Sequence, residues 1–301
     1  TREEVMQKSP RTCCARLLVA AAAAATAVAG CSGNSGEDSA SSNTLPVATH
    51  FEFDAANFVD PATSTNPYQP LVPGTQWIRS GTTEVGSREV PHSVISTLTD
   101  VVRTIDGVTV VAMLDQSTDS GEISQVGFDW LALDKDGNVW ILGGYTEDFE
   151  GGEFTNTEDA WLGAATGGDP GVLMPGVVDT DTPRWFIGAV EEGDLGSLGE
   201  PVQVGITRCV AFGCFDNVIA IREGEYKAID NEVKYYAPGV GVILNDPQLA
   251  SLHQDSFELV NVVELTPAGL AEASQVVLDL EEHARIVVPD VYGSAPKSQR
   301  L

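Results

Sequence analysis

Two cysteines, Cys209 and Cys214, are the residues whose type and spacing most directly suggest chemistry. Just before them, residues 202 to 207 alternate between apolar and polar side chains, which is typical of a strand. If a hairpin turn lies between the cysteines, they face each other across an antiparallel pair, at a separation that a disulfide tolerates. A redox pair usually has CxxC spacing, and zinc needs more ligands than two thiolates. The spacing therefore favours a structural disulfide over these two alternatives.

The other reactive side chains form no recognised motif. There is no GxxxxGK[ST], GxSxG or HExxH pattern, so we predict no cofactor, no metal site and no catalytic residue. Asp134-x-Asp136-Gly137 suggests a calcium loop, but an EF-hand needs Glu at its twelfth position, where this chain has Tyr145, so we predict a turn. The histidines have no metal-ligand spacing, and the tryptophans fit core positions better than a sugar or lipid site. These residues are His50, His92, His253, His283, Trp77, Trp130, Trp140, Trp161 and Trp185.

The first thirty residues have the layout of a signal peptide. Basic residues precede an uncharged run from Leu17 to Ala29, which as a helix spans only about 20 Å of a bilayer core about 30 Å thick. The run ends in Val28-Ala29-Gly30-Cys31, which resembles the lipobox of bacterial lipoproteins. The resemblance implies that residues 1–30 are removed and that Cys31 is lipidated. Ordinary secretion, which would leave Cys31 as a chance thiol, is the alternative.

The composition bears on partners and location. A formal net charge of -28 argues against nucleic acid or an anionic membrane surface as a partner. Attachment to the bacterial cell membrane would then depend on the lipid at Cys31, with the protein outside the cytoplasm. Residues 31–57, which begin rich in Ser, Gly and Asn, predict a flexible tether. Residues 58–301 predict a single β-rich ectodomain.

Short strands joined by turns dominate the ectodomain. Val126, Phe128 and Trp130 alternate with small or polar residues, and the apolar pattern resumes at Val139 after a turn-forming stretch, as in a hairpin. Residues 145–200 lack such periodicity and predict long loops on the same sheet. The other predicted strands lie within Ser93 to Ile105, Val108 to Leu114, Phe215 to Arg222, Val233 to Tyr236, Val240 to Leu244 and Phe257 to Leu265.

One helix is predicted near the C-terminus, over about residues 267–285. Thr266 and Pro267 suit a cap and a first turn, and apolar residues then recur every three or four positions from Leu270 to Ala284. The polar side carries glutamates, so packing against a sheet is favoured over a membrane surface. The predicted fold class is mainly β: a curved antiparallel sheet, as a half-barrel, barrel or sandwich, with one C-terminal amphipathic helix.

Four segments of the ectodomain carry a family resemblance. They are Pro70-Leu71-Val72-Pro73-Gly74-Thr75-Gln76-Trp77, Asp136-Gly137-Asn138-Val139-Trp140, Gly213-Cys214-Phe215 and Tyr235-Tyr236-Ala237-Pro238-Gly239-Val240-Gly241. Together they resemble a mostly uncharacterised family of β-rich secreted bacterial proteins and lipoproteins. In that family one turn is often Pro-Ala-Gly-Thr-Phe, from which residues 211–215 depart. The resemblance implies an antiparallel sheet and no catalytic residue.

Two classes of function fit these observations. The first is a non-enzymatic envelope lipoprotein that binds an apolar or peptide-like ligand, or an envelope protein partner. The second is a secreted hydrolase that uses acidic residues, although the chain has too many acids for a pair to be singled out. The missing nucleophile motif favours the first class, with the ligand in the concavity of the curved sheet.

Overall fold

Alternating side chains and tight turns produce β-structure through most of the computed structural model, which describes residues 48–60, 66–157, 159–189, 196–225, 232–247 and 255–301. Within this part lie sixteen strands and one α-helix, α1, at Pro267–Val287. The strands are β1 Phe58–Val59, β2 Thr75–Val85, β3 Arg88–Ile105, β4 Val108–Asp119, β5 Glu122–Asp134, β6 Val139–Glu150, β7 Glu153–Asn156, β8 Trp161–Leu162, β9 Asp169–Met174, β10 Trp185–Ala189, β11 Ser197–Val210, β12 Gly213–Glu225, β13 Glu232–Ala237, β14 Gly241–Pro247, β15 Ser256–Glu264 and β16 Gln299–Arg300.

Twelve of these strands close into an antiparallel barrel. Their order is β5-β4-β3-β2-β15-β14-β13-β12-β11-β10-β9-β6, and β6 pairs back onto β5. The seam between the N- and C-terminal halves pairs Thr75 of β2 with Glu264 of β15. The mainly-β prediction with one C-terminal helix is confirmed, and of the three predicted sheet forms the structure adopts the barrel.

The predicted long loops at 145–200 are wrong in part, because β9 and β10 of the barrel lie there. Gly171 and Gly188 fall within these strands and interrupt the apolar alternation by which strands are recognised. A Cβ at Gly171 would lie 2.4 Å from the carbonyl oxygen of Ile187, so the close approach of the two strands requires glycine.

The turn after β5 explains the resemblance to a calcium loop. Asp134 Oδ1 accepts hydrogen bonds from the backbone N–H groups of Asp136 (2.9 Å) and Asn138 (2.8 Å). Its Oδ2 accepts from Asn138 Nδ2 (2.7 Å) and Trp140 Nε1 (2.8 Å). The carboxylate is therefore occupied in shaping a turn, as predicted for this segment.

Helix α1 lies on the outer face of β3, β4 and β5. It begins with the predicted cap, because Thr266 Oγ1 accepts from the N–H of Gly269 at 3.2 Å. A buried Glu281 lies 3.5 Å from Arg103, whose guanidinium stacks over the rings of Trp130 and Tyr292. In the described residues no helix has both the length and the apolar character needed to cross a bilayer.

Part of the chain before β2 packs against the barrel. Residues 48–57, assigned to the predicted tether, contact the barrel: Phe53 packs edge-on against Trp140, and Thr49 exchanges backbone hydrogen bonds with residues 184 and 186. Residues 31–47 of that tether lie outside the described residues. Contact with the barrel therefore begins before residue 57, where the predicted tether ends, because apolar side chains such as Phe53 follow the Ser/Gly stretch and pack against the barrel.

Residues 66–74 close one end of the barrel. The Asn66 side-chain amide donates to the carbonyl oxygens of Gly137 (2.9 Å), Met174 (3.2 Å) and Pro175 (3.1 Å). The carbonyl of Pro67 accepts from the N–H of Gly239, in the turn on the opposite side of the ring. The segment therefore spans this end and forms the floor of the lumen.

Candidate functional site

The polar side chains of several strands face the barrel lumen. In β5, Phe128 and Trp130 point outward, where Phe128 packs against Tyr145 and Tyr292. Asp129, between them, points inward to the lumen. The polar set of an antiparallel sheet usually faces water. Here the outward apolar set is covered by α1 and the turn after it, and the polar set lines an interior.

The lumen contains a cavity of about 240 Å³. Its floor includes Gln69 and Pro70, and its walls combine apolar and charged side chains from opposite sides of the barrel. The apolar set includes Trp77, Val94, Met113, Leu173, Val242 and Phe257. We call the charged set the lumen site; it consists of Arg79, Asp115, Asp129, Glu223, Glu232, Lys234 and Asp255.

Arg79 and Asp115 are joined through Ser96. Arg79 Nη1 donates to Ser96 Oγ at 2.7 Å, Ser96 Oγ donates to Asp115 Oδ1, and Arg79 Nε donates to the carbonyl of Val242 at 3.0 Å. Burial lowers the pKa of Arg79 to about 10, against the attraction of Asp115. Burial raises the pKa of Asp115, against its bonds to Ser96 and Arg79. Both charges are therefore engaged within the wall.

Lys234 is held by two carboxylates on the facing wall. Its Nζ lies 2.9 Å from Glu223 Oε2 and 2.8 Å from Glu232 Oε1. Burial opposes the charge of Lys234, but the two carboxylates outweigh it and raise the pKa well above its ordinary value. Tyr236 donates to Glu223 Oε1, and Asn245 Nδ2 donates to Glu232 Oε2 at 2.6 Å. The charges of this second cluster are therefore also paired within the wall.

Asp129 differs from both clusters. No described residue donates a hydrogen bond to its carboxylate, which faces the cavity from the wall opposite Lys234. Burial, followed by repulsion from Asp115 and Asp159, raises the pKa of Asp129 to about 7. It is thus an acidic group in the lumen that can gain or lose a proton near neutral pH.

His92 links the cavity rim to the strands around it. Its Nδ1 lies 2.8 Å from Asp119 Oδ1, and its Nε2 lies 3.2 Å from Asp255 Oδ2. Burial opposes protonation, but the hydrogen bond to Asp119 and the charges of both aspartates raise its pKa.

The described residues contain no group of three or more His, Cys, Asp or Glu side chains that could hold a metal ion.

No family model matches this chain. No curated protein matches it either. A crystal structure of a candidate lipoprotein from Parabacteroides distasonis aligns at 14% identity with a TM-score of 0.35, over 67% of this chain and 100% of that one. A candidate exported protein with a YmcC-like fold from Bacteroides fragilis aligns at 14% identity with a TM-score of 0.37, over 66% and 99%. At TM-scores this low, neither likeness supports an assignment.

The residues selected from the sequence lie away from the lumen. Cys209 and Cys214 form a disulfide at the tip of the β11–β12 hairpin, where they are register partners and both exposed. Cys31 lies outside the described residues, so its lipidation stays a prediction. The family motifs come closer to the cavity, since Trp77 and Tyr236 line it.

Sequence reasoning missed the whole lumen site. Asp129 was available as the polar member of an alternating strand, but alternation does not say whether its polar face meets water or a lumen. Glu232, Lys234 and Tyr236 share one parity of β13, and this row of an acid, a base and an aromatic on one face of a strand was the available signal. The sheet encloses a lumen where the sequence predicts a concavity. The lining of this lumen includes charged side chains, which an apolar ligand would not need.

Proposed function

We propose that this protein is a non-enzymatic, lipid-anchored envelope protein that binds a small molecule in its barrel lumen. The supporting observation is the cavity of about 240 Å³ with seven charged residues in its lining. Buried charges are costly, and replacing them with well-packed apolar side chains is often stabilising. A cavity that keeps charged side chains in its lining has the convergent polar groups of a binding site.

The size of the cavity limits the ligand. Pockets for drug-sized molecules span about 300 to 1,000 Å³. The lumen is smaller, so the ligand is smaller than a typical drug. Anchoring rests on the sequence: the charge distribution of residues 1–30 and the lipobox-like Val28-Ala29-Gly30-Cys31. The anchor would hold the barrel outside the cytoplasm, at the cell membrane.

Native mass spectrometry of protein purified from its own envelope tests the proposal. Ser117 lines the cavity, so Ser117→Tyr places a ring in the lumen; Ser80→Tyr adds the same ring at an exposed position of β2 that is not part of the lining. We expect a small-molecule adduct on the wild type and on Ser80→Tyr, and a bare mass for Ser117→Tyr. A bare mass for all three, together with no binding of added small molecules, contradicts the proposal.

Hydrolysis by acidic residues is the second candidate, and Asp129 is the observation in its favour. An acid with a pKa of about 7 can donate a proton near neutral pH, as a glycosidase acid does. Its neighbour Asp115 is engaged by Ser96 and Arg79, which disfavours it as a base or nucleophile. Turnover of a glycoside or ester by the wild type, lost in Asp129→Asn, would establish hydrolysis.

A further inference from the structure

We infer that the ligand of the lumen is a small organic cation, whose positive group lies at Asp129 and whose apolar body lies against Trp77 and Val242. The inference rests on the proposed function and names the chemical class of its ligand. It depends on three features of the lumen: the charge balance, the hydrogen bonds left unmade and the distribution of apolar wall residues.

The charge balance of the lining is negative. Five acidic residues and two basic ones face the cavity. Arg79 is held by Ser96 and the Val242 carbonyl, and Lys234 is held between Glu223 and Glu232. Neither base is therefore available to an anion without breaking these bonds. A cation meets an acidic surplus, and the formal charge of -28 on the whole chain adds to its attraction.

Three groups of the lining lack hydrogen-bond partners in the described part of the chain: the Asp129 carboxylate, the Trp77 indole N–H and Asn245 Oδ1. Asp129 accepts no hydrogen bond there, and a carboxylate in such a setting is stabilised by an ammonium or guanidinium donor. The Trp77 indole N–H also finds no acceptor, although its residue is only 4% exposed and lines the cavity. A buried donor without an acceptor in the lining of a cavity is a feature of a site completed by a ligand.

The walls beside these groups are apolar. Trp77 and Val242 line the cavity from strands β2 and β14, and Met113 lines it from β4, the strand next to Asp129. A guest with a charged end and an apolar body uses both kinds of surface. A fully apolar guest would displace water from Asp129 without replacing its hydrogen bonds, which is unfavourable. An inorganic cation would leave the apolar walls unused.

Three probes of similar size separate charge from shape: benzylamine, benzyl alcohol and benzoate. The experiment is an NMR titration of the whole protein at pH 8, which follows the indole N–H signal of Trp77. Trp185 is an internal reference, because its Nε1 donates to the Val172 carbonyl at 2.9 Å, with neither residue lining the cavity. We expect benzylamine to bind about tenfold more tightly than benzyl alcohol, and benzoate more weakly than both.

Asp129→Asn keeps the shape and removes the charge, and we expect it to abolish most of the preference for benzylamine. Asp136→Asn, at an exposed turn position, makes the same change in net charge and should leave the preference intact. Equal binding of amine and alcohol, or a preference that survives in Asp129→Asn, overturns the cation inference while the lumen remains a binding site. Failure of all three probes to shift Trp77, with no adduct on the purified protein, overturns both.

Discussion

Asp129 and Gly144 are register partners on β5 and β6, and a Cβ at Gly144 would lie 2.9 Å from Asp129 Oδ1. The missing side chain leaves the space in which the carboxylate lies. The same Cβ would lie 3.3 Å from the carbonyl oxygen of Phe128, so the backbone offers little room to adjust. Glycine at this position therefore sets where the acid of the lumen points.

Gly144→Ala tests this relationship. We expect the added methyl to displace the carboxylate of Asp129, and so to weaken benzylamine binding several-fold at a cost of about 1 kcal/mol in the free energy of unfolding. Titration calorimetry and urea unfolding measure the two effects. Gly213→Ala is the matched control, since a Cβ there has no neighbour within 4 Å. Unchanged affinity in Gly144→Ala would contradict the steric role.

The raised pKa of Asp129 gives its contribution to stability a definite sign. The unfolded chain releases this proton near pH 3.8 and the folded chain near 7, so the folded state binds more protons between these values and loses stability as pH rises through them. Asp115, Asp159 and Lys234 act on this titration, and burial is the largest cause. Asp129→Asn removes the effect.

We therefore expect Asp129→Asn to be more stable than the wild type at pH 8, by on the order of 2 kcal/mol, and the difference to shrink as pH falls towards 4. Urea unfolding at a series of pH values measures it. Asp136→Asn provides the control, because it makes the same change in net charge at an exposed turn position. A variant that is less stable at pH 8 would show that Asp129 serves the fold rather than a ligand.

Buried charges also hold α1 against the barrel. Glu281 accepts from Arg285 Nη2 at 2.5 Å and lies 3.5 Å from Arg103 Nη1. Glu281→Ala leaves both guanidinium groups without this carboxylate, so we expect a loss of about 3 to 5 kcal/mol in the free energy of unfolding. Glu272→Ala, exposed on the same helix, should change it by less than about 0.5 kcal/mol. Equal losses for the two variants would refute the pairing.

The disulfide between Cys209 and Cys214 should matter little. It closes a short loop at an exposed hairpin tip, so its removal is expected to cost only about 2 kcal/mol. The double replacement by Ser should keep benzylamine affinity, because neither cysteine lines the cavity. Urea unfolding and the same NMR titration provide the two readouts. A tenfold loss of affinity would connect the hairpin to the lumen.

Lipidation at Cys31 is tested in the full-length protein. Cys31→Ala should reduce the share of the protein in the membrane fraction, because the acceptor for the lipid is gone, and its intact mass should show no lipid. Cys13→Ala is the control: it changes a cysteine of the predicted signal peptide and should leave membrane partition and intact mass unchanged. Membrane partition of Cys31→Ala equal to the parent would exclude the anchor.

The parts of the fold that sequence could predict are those that depend on neighbours in the chain. Thr266 and Pro267 start α1, and the Asp106-Gly107 turn has positive φ at both residues, as a tight hairpin requires. Closure of the barrel depends instead on the pairing of β2 with β15, far apart in sequence. No local pattern encodes such a pairing, so the sheet form stayed open among three alternatives.

The lumen site could not be predicted for a related reason. A period of two places Asp129 opposite Phe128 and Trp130, but the same period fits a solvent face and a lumen face equally well. Only the positions of α1 and Tyr292 decide which face is outside. The cysteines attracted attention because their spacing is local, and they lie on a hairpin away from the cavity.

The seam between β2 and β15 also governs when this chain can fold. The edge of β2 that pairs with β15, at Thr75, has no partner until Glu264 has been synthesised. Because the chain is made from its N-terminus, this edge of the sheet stays open for most of the synthesis. Contacts between such distant segments form late. A chain that cannot complete its barrel early therefore stays incompletely folded until its last strands have been made.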